Sequence, residues 1–259
     1  MKNALVVLEK EWLELRLQRG LLLATLLLPP AITSLGVAVF FAAGRFEANV
    51  NTGGIPLPGD LAGLLPVELG QALVGRQFSV LFLLLPIFVT SVLASYSIVG
   101  EKRERTLEPV LATPVRTWEL LLGKMLAALL PGLAITVASA LVFVIGVLLF
   151  AVSDRVRAIV VTPGWVMAVV LDTPLLALVG IALIVVLSSR VNDPRTAQQI
   201  SGVLVVPVLV LLFGQLAGVI VLGPALALVI GVILAIVAAG AVWVAAQRFQ
   251  REVILTRWR

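Results

Sequence analysis

Between Gly100 and Gly123, eight charged side chains crowd into an otherwise lipid-like chain: Glu101, Lys102, Arg103, Glu104, Arg105, Glu108, Arg116 and Glu119. Carboxylates and cations mixed over a few helical turns can pair with each other or with another protein's surface. Leu107, Val110 and Leu111 set a small apolar spot among them, a combination that suits a cleft on a soluble partner. A solvated connector whose charges only set topology would carry the same residues. Few other chemistries are open. The chain has neither Cys nor His, which removes a disulfide framework, Cys-ligated zinc and the commonest general base. A Ser–His protease is thereby excluded, and an aspartyl dyad needs two deep acids where at most one exists. There is no Gly-x-x-x-x-Gly-Lys-Ser/Thr phosphate loop, so the chain supplies no ATP site of that kind. No metal site is expected.

The one deep acid is Asp172. It sits about two turns inside an apolar run, where a carboxylate is costly unless it faces protein or water. It reads either as a substrate, ion or proton contact, or as a cap. In the second case a helix starts at Asp172-Thr173-Pro174 near the outer interface. Gln198, Gln199 and Gln215 read as hydrogen-bonding glue between helices.

These residues need elements to hold them. The 259-residue chain is 61% hydrophobic and 13% charged, against roughly 25% charged in an average soluble domain. A soluble domain could not cover that much apolar surface, so the chain reads as an all-α integral membrane protein. Runs of about 20 apolar residues, the length of a crossing helix, predict six spans at about 20–43, 78–99, 125–150, 165–187, 200–221 and 225–246. Pro29, Pro30, Pro86, Pro131, Pro174 and Pro207 fall inside them, as kinks that a membrane bundle tolerates. The separation of the last two spans rests on the short turn Leu222-Gly223-Pro224-Ala225. Fifteen of the 19 Lys and Arg residues lie in segments on one side of these spans and four on the other. That split places both termini and loop 100–124 in the cytoplasm. It also accounts for the net charge of +5 without nucleic acid.

Ahead of the first span, residues 2–19 form a mixed segment with Leu5, Leu8, Trp12 and Leu15 at helical spacing. Lys10 and Glu14 are four apart and can pair. The segment reads as an amphipathic helix in the cytoplasmic interface, with Trp12 at headgroup level. It serves either as a plain anchor or as an elbow that transmits motion. The sizeable outer loop, 44–77, is rich in Gly and Pro, with a short helix expected after Asp60.

The run Glu101-Lys102-Arg103-Glu104-Arg105-Thr106-Leu107-Glu108-Pro109-Val110-Leu111-Ala112-Thr113-Pro114-Val115, then Glu119-Leu120-Leu121-Leu122-Gly123-Lys124, closely resembles the type-2 ABC exporter permease family. So do Lys10-Glu11 through Arg16 and Arg19, the Pro29-Pro30 pair, and Ser188-Ser189-Arg190 with Asp193-Pro194-Arg195 and Ala197-Gln198-Gln199. Arg105 departs from the pattern, which usually has Gly there, and favours a continuous helix. The resemblance implies a single six-helix permease domain over 1–259, a second permease (a copy or a paralogue), and two ABC ATPase subunits on the cytoplasmic side. It implies a multi-pass protein of the cell membrane that is not itself an enzyme. No cofactor is bound by this chain; ATP and Mg belong to the partner ATPase. The loop would act as a coupling helix between spans two and three. Glu101, Arg103, Glu104, Arg105 and Glu108 would make polar contacts, Leu107 and Leu111 would fill the apolar part of the cleft, and Thr106, Thr113 and Pro114 would shape the element. Lys10, Glu11, Trp12, Arg16 and Arg19 would flank it as the interface helix. The alternative is a self-sufficient secondary transporter or channel in which the loop is only a connector.

Overall fold

The computed structural model describes residues 2–45, 59–101, 116–188, 191 and 193–248, and every described element is helical. Helix α1, Lys2–Leu17, precedes six helices long and apolar enough to cross a membrane. These are Arg19–Ala43, Pro66–Gly100, Trp118–Phe150, Asp154–Ser188, Pro194–Leu216 and Pro224–Gln247. Helices are what a chain of this composition must form, because lipid offers no hydrogen-bond partner to an open backbone.

Four of the spans begin earlier than the apolar runs predict. The second starts at Pro66, with Glu68 Oε2 accepting from Leu65 N at 3.1 Å. Glu68, Gln71 and Arg76 hide this segment from a hydropathy reading, yet Gln71 and Arg76 are buried and partnered. The fourth span opens with a short helix, Asp154–Val160, capped by Ser153. It restarts at Pro163, where Thr162 Oγ1 accepts from Trp165 N at 3.1 Å. The fifth starts at Pro194, capped by Asp193 accepting from Thr196 N at 3.2 Å. The third begins at Thr117. Spans five and six are separated by 217–223, where Gly218 takes φ +73°. Only glycine enters that left-handed region without strain, and the turn lets Val219 N and Ile220 N both reach Gly214 O.

Three of the intramembrane prolines sit one turn beyond a departure from α-geometry. Pro86 follows the break at Phe82–Leu83, Pro174 follows a π-helical stretch at Ala168–Asp172, and Pro207 follows a 3₁₀ turn at Gly202–Leu204. A proline removes one backbone donor and its ring presses on the carbonyl four residues earlier, so the ladder reroutes there. Thr25, Thr33 and Thr90 turn their hydroxyls back to carbonyls one turn away, those of Thr33 and Thr90 to the prolines Pro29 and Pro86.

Spans two and four form the centre of the bundle and the others surround them. At the end away from α1, Phe82, Phe143 and Trp165 stack with ring centroids 5.0–5.9 Å apart, and Trp165 Nε1 donates to Ser79 O at 3.0 Å. Gln71 ties the ends of spans one and three together there. Its amide donates to Phe40 O and Phe150 O and accepts from Val152 N, all at about 3 Å. At the opposite end α1 lies against the third span. A Cβ on Gly123 would stand 2.7 Å from Val7 and 2.9 Å from Ala4 O, so only glycine allows this crossing.

A buried ionic cluster at the foot of the loop

The face that α1 buries is Ala4, Val7, Glu11 and Leu15. The expected stripe of Leu5, Leu8, Trp12 and Leu15 is rotated from it: Leu5 and Trp12 are exposed and Leu8 is half-buried. A carboxylate on the buried face demands a partner. The third span supplies one in Lys124, the residue directly after Gly123, the glycine at which α1 crosses.

Lys124 is 0% exposed, Glu11 1% and Glu101 6%. Lys124 Nζ lies 2.7 Å from Glu11 Oε1, 2.7 Å from Glu101 Oε2 and 3.1 Å from Ser97 O. Glu11 and the Ser97 carbonyl accept hydrogen bonds from the ammonium, and Glu101 pairs with its charge. Ser97 Oγ donates to the other Glu11 oxygen at 2.5 Å. Lys10, a third exposed, pairs with Glu101 and also reaches Glu14 at 3.0 Å and Glu11 at 3.3 Å. The π-helical stretch Ser95–Gly100 closes the second span and carries Ser97 to the cluster, with Glu101 following directly. One network therefore joins α1, the end of span two and the start of span three.

The electrostatics favour the charged forms of Glu11 and Lys10. Burial alone would raise the Glu11 carboxyl, but the Lys124 charge, hydrogen bonds from Lys124 and Ser97, and Lys10 together hold it below its ordinary value. For Lys10, burial pulls downward, and the hydrogen bond to Glu101 with the charges of Glu11 and Glu101 outweighs it, so its ammonium is held above the ordinary lysine value. Ligand oxygens of Glu11, Glu14 and Glu101 lie within 4.8 Å of one another, and the two lysines stand where a metal cation would otherwise balance them.

The loop has a second foot. Arg116 is its next described residue, and Glu119 Oε2 accepts from Arg116 N at 3.4 Å and from Asn3 Nδ2 at 3.0 Å. Helix α1 thus touches both ends of segment 102–115: Lys10 holds Glu101 at one end and Asn3 holds Glu119 near the other.

Of the residues singled out from sequence, Lys10, Glu11 and Glu101 meet in this cluster. Trp12 and Arg16 lie on the exposed side of α1, with the Arg16 guanidinium 5.8 Å from the Trp12 ring. Arg19 opens the first span. Arg103, Glu104, Arg105, Thr106, Leu107, Glu108, Leu111, Thr113 and Pro114 lie outside the described residues. Sequence reading counted Lys124 as a topology charge and as the end of the motif from Glu119, gave it no partner, and passed over Ser97. A lysine following Leu-Leu-Leu-Gly and leading an apolar helix was the available signal, because a cation there needs a partner.

Asp172 does not start a helix. Thr162 and Pro163 do that, and Asp172 ends the π-helical stretch in mid-span, 0% exposed. The cap reading is therefore corrected. A proline at 174 interrupts the ladder without beginning it. Neither carboxylate oxygen has a hydrogen-bond partner among the described residues. The side chain packs against span six at Gly231, where a Cβ would come within 2.9 Å of Oδ1.

No curated protein matches the chain at a significant level. The family model of the ABC-2 family transporter proteins matches residues 5–231, a range that takes in most of α1, the ionic cluster, Glu101 and Glu119 at the two feet of the loop, and the start of the sixth span. Six apolar helices and a match over most of the chain lead to one conclusion: this protein belongs to the ABC-2 transporter family and is a multi-pass membrane permease of an ABC transporter.

Proposed function

We propose that the chain is the permease subunit of an ATP-driven exporter in the cell membrane. Both termini and loop 102–115 face the cytoplasm, separate ABC ATPase subunits dock on that loop, and a second permease, a copy or a paralogue, completes the pathway. ATP and Mg are held by the ATPase, and this chain performs no catalysis. The observation that carries the reading is the clamp at the two feet of the loop. A partner that moves the loop pulls on Glu101 and Glu119 together, and α1 holds both. Because Lys124 fixes the end of span two to the start of span three, that motion tilts the two spans as a unit. Rigid, fully paired contacts transmit displacement where a solvated connector would absorb it.

The test separates docking from folding. Glu104→Lys with Glu108→Lys reverses charge on the loop and leaves Glu101 in its cluster. The double variant is expected to insert and fold normally, and to lose about 2–5 kcal/mol of association with the ATPase, the scale for a buried interfacial charge deprived of its partner. Co-purification of the ATPase from native membranes and ATP-driven transport in vesicles read the outcome. Undiminished ATPase binding and transport would make the loop a connector. Transport by the purified chain alone, without ATP, would favour a secondary transporter.

A further inference from the structure

Asp172 is a buried carboxyl that the loop-end cluster leaves out. It lies in mid-span, 0% exposed, and neither oxygen has a hydrogen-bond partner among the described residues. The donors nearest in sequence are spent. Thr173 N donates to Ala168 O, Thr173 Oγ1 donates to Val169 O, and Pro174 has no N–H. Across the seam, the side chains of span six that carry an N–H are Trp243 and Gln247, both near the α1 end.

Counter-charge is missing as well. No Asp, Glu, Lys or Arg lies within 20–43 of span one, 77–100 of span two, 125–150 of span three, 196–216 of span five or 224–247 of span six. Asp172 is alone between 158 and 188 of its own span. Tyr96, the other titratable side chain of these stretches, stands beside Glu11 and Glu101 at the α1 end. Arg76, at the opposite end of span two, is paired with Asp60. Nor is there room for a metal ion between the helices: a Cβ on Gly231 would stand 2.9 Å from Asp172 Oδ1. An isolated carboxylate is costly at this depth. A proton is the one cation that neutralises it without space or further ligands.

The packing that hides the acid can part. Spans four and six touch through glycines at two levels. Gly164 abuts Leu222 O and Gly223, and eight residues further along both spans Asp172 abuts Gly231. Such crossings bring helices close without interlocking side chains. The π-helical stretch Ala168–Asp172 is also where the backbone ladder of span four is already rerouted.

We propose that Asp172 is a proton-binding site that latches span six onto span four. With the proton bound the group is neutral and the seam is closed. Release breaks the O–H bond, leaves its electron pair on the carboxylate and passes the proton to a water that enters as the seam parts. Uptake reverses the step. The latch goes beyond ATPase docking and does not depend on it.

The chain has four aspartates, and the other three are engaged: Asp60 with Arg76, Asp154 with Arg157, and Asp193 as the cap on Thr196 N. Infrared spectra of the full chain in phosphatidylcholine nanodiscs, with and without an isotope label on the aspartate carboxyl carbon, therefore read Asp172. At neutral pH an isotope-shifted carboxylic acid C=O band is expected, absent from Asp172→Asn. Carboxylate bands alone would overturn the proposal, because Asp172 would then be ionised and held by a metal cation or by water. Opening is read by a water-soluble thiol reagent on Ala227→Cys, a buried position of span six one turn from Gly231. Closing binds one proton, so each added pH unit should speed this labelling by up to about tenfold relative to the same cysteine combined with Asp172→Asn. The comparison cancels the ionisation of the thiol itself. A rate ratio that is flat in pH would overturn the latch. Fast labelling of the Asp172→Asn protein at every pH would overturn it too, since a neutral side chain would then fail to hold span six. None of these outcomes bears on ATPase docking, so the exporter reading and this one fail separately.

Discussion

Lys124 is the residue on which the loop end of the bundle depends. An ammonium that is 0% exposed is tolerable only because Glu11 and Glu101 balance its charge and Glu11 and the Ser97 carbonyl accept hydrogen bonds from it. Such a group is weak evidence for net stability, since desolvation offsets much of the attraction, but removing one partner strands the others. Lys124→Met keeps the length of the side chain and discards the charge. It is expected to cost roughly 3–5 kcal/mol, because two carboxylates remain buried. The triple variant Lys124→Met, Glu11→Gln, Glu101→Gln should regain most of that loss. Thermal unfolding in detergent measures both. A single variant that melts with the wild type would show that solvent, and not Lys124, satisfies Glu11 and Glu101.

At the scale of elements, α1 and the third span act as one unit because Gly123 lets them touch. The contact has no spare room: an added Cβ would meet Val7 and the Ala4 carbonyl at under 3 Å. Gly123→Val is therefore expected to lift α1 from the third span and weaken both clamps, that of Lys10 on Glu101 and that of Asn3 on Glu119. Overpacking of this kind costs about 1–3 kcal/mol. Limited proteolysis after Lys10 and Arg16 reads it: the variant should be cut faster within α1, while the six spans stay protected. Unchanged protection of α1 would show that the helix is held by something other than this crossing. The far end of the bundle uses a different device, in which neutral Gln71 gathers the ends of spans one and three without burying a charge.

For the whole molecule, the functional reading requires that α1, the ionic cluster and loop 102–115 share the compartment of the ATPase. The charge split of 15 to 4 predicts this orientation. Because the chain has no Cys, single cysteines at Asn51 and Thr106 report it directly. In intact cells an impermeant maleimide should label Asn51→Cys and spare Thr106→Cys until the membrane is permeabilised. Labelling at Thr106 alone would invert the topology, and the docking proposal would be lost with it.

Much of the architecture was legible in one dimension. A span is a property of about 20 consecutive residues, so six apolar runs announced six spans. Orientation is an expectation of the same local kind, resting on which loops hold Lys and Arg, and the cysteine labelling tests it. The loop's resemblance to the ABC-2 permeases was likewise local, and a match over residues 5–231 agrees with it. The ionic cluster was not local. Lys124 lies 113 positions from Glu11, and Ser97 lies 86 from it; no spacing rule connects them. The buried face of α1 was misjudged for a related reason. In a soluble helix apolar residues mark the core, but in a membrane bundle both lipid-facing and protein-facing surfaces are apolar. The stripe through Leu5 and Trp12 thus carried no information about burial, and the charged Glu11 marked the packed side. Asp172 shows the same gap. Sequence saw a helix-starting triplet, whereas the fold runs the helix through it from Pro163 and places the acid against Gly231. Composition determined that this chain must fold as helices in a membrane; which polar groups meet inside was decided by how those helices cross.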